Sequence, residues 1–130
     1  MTEISHGKKS RVLLIDDELD MVYIVKAGLE RKGFEVDSYT DPIVALQNFK
    51  SGSYQLLILD IKMPKMNGMD LLDRIKKEDD KIKVCFFTAS EEFASNYKNV
   101  FNNSKDEFLI ILKPISIPIM TKQIEQFLSR

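Results

Sequence analysis

The sequence has one cysteine, one histidine and almost no excess of either charge, and each scarcity closes off a class of protein. With Cys85 alone, neither an internal disulfide nor a zinc-finger ligand set exists. Its place in the run Val84-Cys85-Phe86-Phe87 implies a buried, inert thiol. Nineteen Lys and Arg face twenty Asp and Glu, a formal net charge of -1. No field of one sign is therefore available to hold nucleic acid or an anionic membrane. The longest uninterrupted apolar stretch is about five residues, against the roughly 20 that a membrane span needs. The first residues lack the apolar core of a signal peptide, so the expected location is the cytoplasm. No internal repeat and no Pro-, Gly- or Ser-rich linker divides the chain, and 130 residues is the length of one domain. Residues 1–10 are polar and aperiodic and are expected to form a flexible tail, with residues 11–130 as the folded domain. His6, the one histidine, lies in that tail without partner ligands.

What the sequence does contain is five strand-sized apolar runs: Val12 to Ile15, Phe34 to Tyr39, Leu56 to Leu59, Ile82 to Phe87 and Phe108 to Leu112. The first and third are continuously apolar, as parallel strands covered on both faces must be. The second alternates, which places it near a sheet edge. Helical patterns fill the intervals. Val22, Val25 and Leu29 make a stripe that Gly33 closes, and Asp41-Pro42 opens a second helix that ends by Gly52. A third starts near Gly68 with Met69, Leu72 and Ile75 on one face. Ser90 caps a fourth that carries Phe93, Tyr97, Val100 and Phe101, and Ser116 opens the last. Met63, Met66 and Met69 recur every three residues, but Pro64 and Gly68 make that stretch a packed loop. Five alternations of strand and helix imply an α/β fold with a parallel sheet and helices on both faces. In such folds the chemistry sits at the carboxyl ends of the strands.

Four of the five strands end in polar groups. The first runs into Asp16-Asp17-Glu18, the third into Asp60, the fourth into Thr88 and the fifth into Lys113-Pro114. Taken alone, the acidic triplet would simply favour the start of a helix. Beside Asp60 and Lys113 it makes a site. Converging carboxylates repel unless a cation holds them, and hard oxygens without His or Cys select Mg²⁺, with Mn²⁺ as the alternative. A carboxylate next to such an ion can attack a phosphoryl group.

The residues Ile15-Asp16-Asp17-Glu18, Leu59-Asp60-Ile61-Lys62-Met63-Pro64-Lys65-Met66-Asn67-Gly68, Phe87-Thr88-Ala89-Ser90 and Lys113-Pro114 resemble the CheY-like receiver domain of two-component response regulators. The resemblance covers about residues 11 to 129. It implies the flavodoxin-like strand order 2-1-3-4-5, and a histidine kinase or phosphotransfer protein that phosphorylates Asp60. It also implies Mg²⁺ held directly by Asp17, Asp60 and the main-chain carbonyl of Lys62, with Asp16 acting through a water. Thr88 and Lys113 would meet the phosphoryl group, and the Lys113–Pro114 peptide would be cis. Such a domain is a switch rather than an enzyme, catalysing only its own aspartyl phosphorylation and dephosphorylation. Lys62 and Ser90 occupy the two positions that influence acyl-phosphate lifetime in the family.

The sequence departs from the family at Ile110, where receivers usually carry Tyr or Phe, and at Asn102 to Glu107, which lacks the usual Gly-Ala. The face formed by the fourth helix, fifth strand and last helix, where a downstream protein would bind, is therefore atypical. The expected signal route is the Thr88-Ala89-Ser90 loop and the Phe93–Tyr97 stripe, with Ile110 as fixed packing. About seventeen residues follow Lys113, which suits a stand-alone receiver. The alternative is a phosphorylation-independent interaction module on the same fold. A phosphatase of the haloacid-dehalogenase type is disfavoured, because Lys62 stands where an aspartate is needed.

Overall fold

A computed structural model of the chain describes residues 10–102 and 108–129, with residues 97–102 described by their backbone course only. The expectations for the tail and His6, for the side chains of Tyr97, Val100 and Phe101, and for residues 103–107 lie outside the described residues. The elements alternate as β1 (Arg11–Ile15), α1 (Leu19–Arg31), β2 (Glu35–Tyr39), α2 (Pro42–Asn48), β3 (Leu56–Leu59), α3 (Gly68–Glu78), β4 (Lys83–Thr88), α4 (Glu91–Asn102), β5 (Phe108–Leu112) and α5 (Ile117–Leu128). All strands are parallel in the order β2-β1-β3-β4-β5, the flavodoxin-like arrangement.

Side-chain alternation along each strand sorts the core into two layers. Val12, Leu14, Ile58, Cys85 and Phe87 pack on one face with Val22, Val25 and Leu29 of α1 and Met120, Ile124 and Phe127 of α5. Leu13, Ile15, Leu57, Leu59 and Phe86 pack on the other with Ala45 of α2, Leu71, Leu72 and Ile75 of α3, and Phe93 of α4. The strands β1 and β3 are covered on both sides, which is why their sequences show no polar alternation. At the edge, β2 buries Val36 while Glu35 is exposed.

Most of the punctuation seen in the sequence works locally. Asp41 accepts the Ile43 N–H at 2.9 Å, and Ser116 accepts that of Ile119 at 3.3 Å. The helix α1 closes with Phe34 N–H on Leu29 O and Gly33 N–H on Glu30 O, the Schellman pattern, with Gly33 at φ 95°. One boundary differs. The second helix stops at Asn48 rather than near Gly52, because Phe49 takes an extended conformation (φ -70°, ψ 136°) that buries its ring against Tyr54, 6.1 Å between centroids. Burial of that ring outweighs three further residues of helix.

The helices α1 and α5 meet at Gly28, where an added Cβ would run into Cγ2 of Ile117. Gly28→Ala gains helix propensity but overpacks this contact, and is expected to cost about 1–2 kcal/mol of stability. In an Ile117→Ala background, which removes the obstructing methyl, the same change should cost much less or stabilise. Urea unfolding of the four proteins checks this, and equal costs in both backgrounds would contradict it.

Candidate phosphoryl-transfer and metal site

Strand order alone brings the polar strand ends together. Because β1 and β3 are neighbours, Asp16 and Asp60 leave the sheet side by side, and Asp60 N–H donates to Ile15 O at 3.0 Å. Asp16 and Asp60 are buried while Asp17 is exposed, and one oxygen from each of the three lies within 4.8 Å of the others. From the far side Lys113 joins them, its main-chain N–H on Thr88 O at 2.8 Å and its peptide bond to Pro114 cis. Its ammonium donates to Asp16 Oδ2 at 2.8 Å and Glu18 Oε1 at 2.9 Å, and stands 3.7 Å from Asp60 Oδ2. The Phe87 ring lies under the ammonium at 5.0 Å.

Thr88 Oγ1 accepts the Ser90 N–H at 3.1 Å, and Ser90 Oγ accepts the Phe93 N–H at 3.0 Å at the start of α4. Thr88 and Ser90, with exposed Lys62 at the rim, border a cavity of about 340 Å³ between Asp17 and Lys113. The loop after Asp60 is pinned by backbone: Gly68 N–H donates to Ile61 O at 2.9 Å, and a Cβ on Gly68 would sit 2.5 Å from the Asp60 carbonyl oxygen. Asn67 caps α3 through the Met69 N–H at 2.7 Å. Met63 is buried and Met66 packs against the core from the loop, while Met69 packs against it from the first turn of α3.

Burial pushes the Asp60 carboxyl up, the negative charge of Asp16 adds to it, and Lys113 only partly compensates, so its pKa reaches about 7. Burial works against the Lys113 ammonium too, yet its hydrogen bonds to Asp16 and Glu18 outweigh that and raise its pKa. The pocket thus holds more negative charge than one lysine neutralises. Among the described residues its donors are hard oxygens with no thiolate or imidazole, a set that fits Mg²⁺ or Mn²⁺.

Asp16, Asp17, Asp60, Thr88 and Lys113 come together here, and Lys62 lines the cavity rim. What sequence reasoning missed is the partnership of Glu18 with Lys113, which no spacing signals because it depends on side-chain reach from the start of α1 to the end of β5. Around the expected switch position, Ile110 pairs in register with Phe86 and is half-buried. The Phe86 ring meets Phe93 edge-on at 5.2 Å and stacks with Phe108 at 5.6 Å. Aromatic rings are therefore present in this layer, though not at position 110.

Fold and site together are of the class of signalling domains that carry an acidic pocket on an open parallel sheet. This chain belongs to the response regulator receiver domain family, which it matches over residues 12–125. Receiver domains of two-component response regulators are phosphorylation-dependent signalling switches, not enzymes in the ordinary sense. Regulatory protein VanRB of Enterococcus faecalis is 32% identical over 120 residues, 92% of this chain and 53% of VanRB. The receiver protein CpdR of Brucella abortus is 28% identical over 118 residues, 91% of this chain and 96% of CpdR. The solved structure of TrrA from Thermotoga maritima, in complex with Mg²⁺-BeF, is 26% identical with a TM-score of 0.75, covering 91% of this chain and 98% of that one. The non-phosphorylated HemR receiver domain of Leptospira biflexa, 23% identical with a TM-score of 0.81 over 94% of this chain and 96% of that one, shares the fold. The chain spans about half the length of VanRB. Among the described residues no helix is long and apolar enough to cross a membrane.

The raised Asp60 pKa has a consequence for stability. An acid whose folded pKa lies above its unfolded one, near 4, costs stability when ionised. The cost is full above about pH 7 and fades as pH falls toward 4. Without Mg²⁺, Asp60→Asn is expected to be more stable than wild type at pH 8 by about 1–3 kcal/mol, allowing for solvent screening. The advantage should shrink by more than half at pH 5. Urea denaturation at the two pH values measures it; a pH-independent difference would contradict the charge argument.

Proposed function

We propose that this chain is a phosphorylation-dependent switch in which Asp60 accepts a phosphoryl group from the phosphohistidine of a histidine kinase or phosphotransfer protein. A carboxylate oxygen of Asp60 forms the new bond to phosphorus as the phosphorus–nitrogen bond to the donor imidazole breaks, and the departing imidazole takes up a proton. The observation that carries this reading is the convergence of Asp16, Asp17 and Asp60 within 4.8 Å with the Lys113 ammonium 3.7 Å from Asp60. That is a nucleophile with an adjacent cation site and a fixed positive charge.

Asp17, Asp60 and the main-chain carbonyl of Lys62 would hold Mg²⁺, with Asp16 acting through a water. Bound there, the ion would neutralise charge on the transferring oxygens. Thr88 would turn its hydroxyl to the phosphoryl group, leaving the Ser90 N–H it now accepts. Since Ser90 also caps α4 and Phe93 of α4 meets Phe86, that movement would pass to α4 while Ile110 stays as packing. A downstream protein would read the change at the α4-β5-α5 face. Asp60 is buried at the floor of the cavity and Lys62 is exposed at its rim, so a donor would deliver the phosphohistidine past Lys62.

After incubation with Mg²⁺ and a small acyl phosphodonor, borohydride trapping and peptide mapping should place the label on Asp60 alone. Label forming in Asp60→Asn at the wild-type rate would overturn the assignment. Mg²⁺ affinity should fall at least tenfold in Asp17→Asn, as expected when a hard dication loses an ionised oxygen. Isothermal titration measures this, and unchanged affinity would remove Asp17 from the ligand set.

A further inference from the structure

Glu18 is placed at the N-cap of α1 with an extended backbone (φ -88°, ψ 109°), yet its side chain makes no capping hydrogen bond. Its main-chain N–H donates to Asp16 Oδ1 at 3.0 Å, and its carboxylate reaches away from the helix to the Lys113 ammonium at 2.9 Å. The Glu18 side chain is 61% exposed and the Lys113 side chain 9%. An exposed carboxylate is well solvated without a partner, so this contact matters chiefly to the lysine.

An ammonium has three donors. Two are committed here, to Asp16 and Glu18, and the distance to Asp60 is left at 3.7 Å. The two anchors are not equivalent. Asp16 is 1% exposed, and leaving its charge buried without a cation is costly, whereas Glu18 exchanges the lysine for water. When a phosphoryl group on Asp60 claims Lys113, Glu18 is therefore the partner that yields.

We propose that Glu18 is a positioning residue that competes with the phosphoryl group on Asp60 for the Lys113 ammonium, and so sets how readily the switch adopts its phosphorylated arrangement. The proposal rests on Asp60 being the acceptor and goes beyond it by naming what opposes the switch. The opposing strength is that of one largely exposed ion pair, which corresponds to at most about fivefold in an equilibrium constant. It acts through contact. An aspartate at position 18 keeps the negative charge but is one methylene shorter, so it loses the lysine while still adding its charge to the pocket.

The test is a titration with beryllofluoride, a phosphoryl mimic, at saturating Mg²⁺ and fixed pH, on wild type, Glu18→Gln, Glu18→Asp and Asp60→Asn. Amide NMR reports binding, and the ¹⁵N-edited resonance of the Lys113 ammonium reports its partner. Both Glu18 variants should bind beryllofluoride about two- to fivefold more tightly than wild type. In the unbound variants the Lys113 resonance should move toward its position in the beryllofluoride-bound wild type. Unchanged or weaker binding in Glu18→Gln overturns the proposal. So does tighter binding in Glu18→Gln with wild-type behaviour in Glu18→Asp, which would mean that overall charge and not the contact matters. If wild type does not bind, or Asp60→Asn binds as wild type does, the Asp60 reading itself fails; binding that needs Asp60 but ignores Glu18 overturns only this proposal.

Discussion

Two carboxylates, Asp16 and Asp60, leave adjacent strands side by side and are both buried, and the local structure is arranged around containing their repulsion. Lys113 is the one fixed cation in contact with both among the described residues, and it arrives from β5, with β4 lying between it and Asp60. The long lysine stem bridges that gap over the ring of Phe87, which gives the ammonium a face to rest on without competing for its donors. Even so, Lys113 sits closer to Asp16 than to Asp60, and the Asp60 carboxyl remains far easier to protonate than an ordinary aspartate. A pocket left short of positive charge in this way is suited to a dication and then to a transferable anion. The same imbalance is expected to cost stability when Asp60 ionises.

The fold was legible in the sequence because its physical causes are local. Continuous apolar runs such as Leu56 to Leu59 can exist only where both faces of a strand are covered, and the alternation of Glu35, Val36 and Asp37 belongs at an edge. Asp41, Asn67, Ser90 and Ser116 cap helices through bonds to residues two or three positions away, distances that sequence displays directly. The end of α2 was not legible, since it depends on whether Phe49 finds Tyr54, a tertiary event. Strand order was supplied by family resemblance, not by periodicity. The convergence of site residues then followed from that order, but the ranking of contacts around Lys113 did not. Which of Asp16, Glu18 and Asp60 lies nearest its ammonium depends on tenths of an ångström.

The aromatic layer beneath the site shows a similar division. Sequence identifies the aliphatic Ile110 where the family usually has an aromatic residue, but it does not show that Phe86, one strand over and in register with Ile110, brings Phe93 and Phe108 into contact with its own ring. Phe86 lies two residues before Thr88 on the same strand face. A ring already packed from two sides leaves little room for a side chain on β5 to swing inward, in keeping with an aliphatic residue at 110. The hydrogen-bonded sequence from Thr88 to Ser90 to Phe93 runs along the edge of this layer and ties the pocket to the first turn of α4.

The proposed role of Asp60 as a nucleophile requires a dication to complete the pocket. Intact-mass measurement after incubation with a small acyl phosphodonor tests this directly when run with Mg²⁺ and with chelator side by side. The expected result is a gain of one phosphoryl group in the presence of Mg²⁺ and none with chelator. No gain under either condition, or equal gain in both, would contradict it.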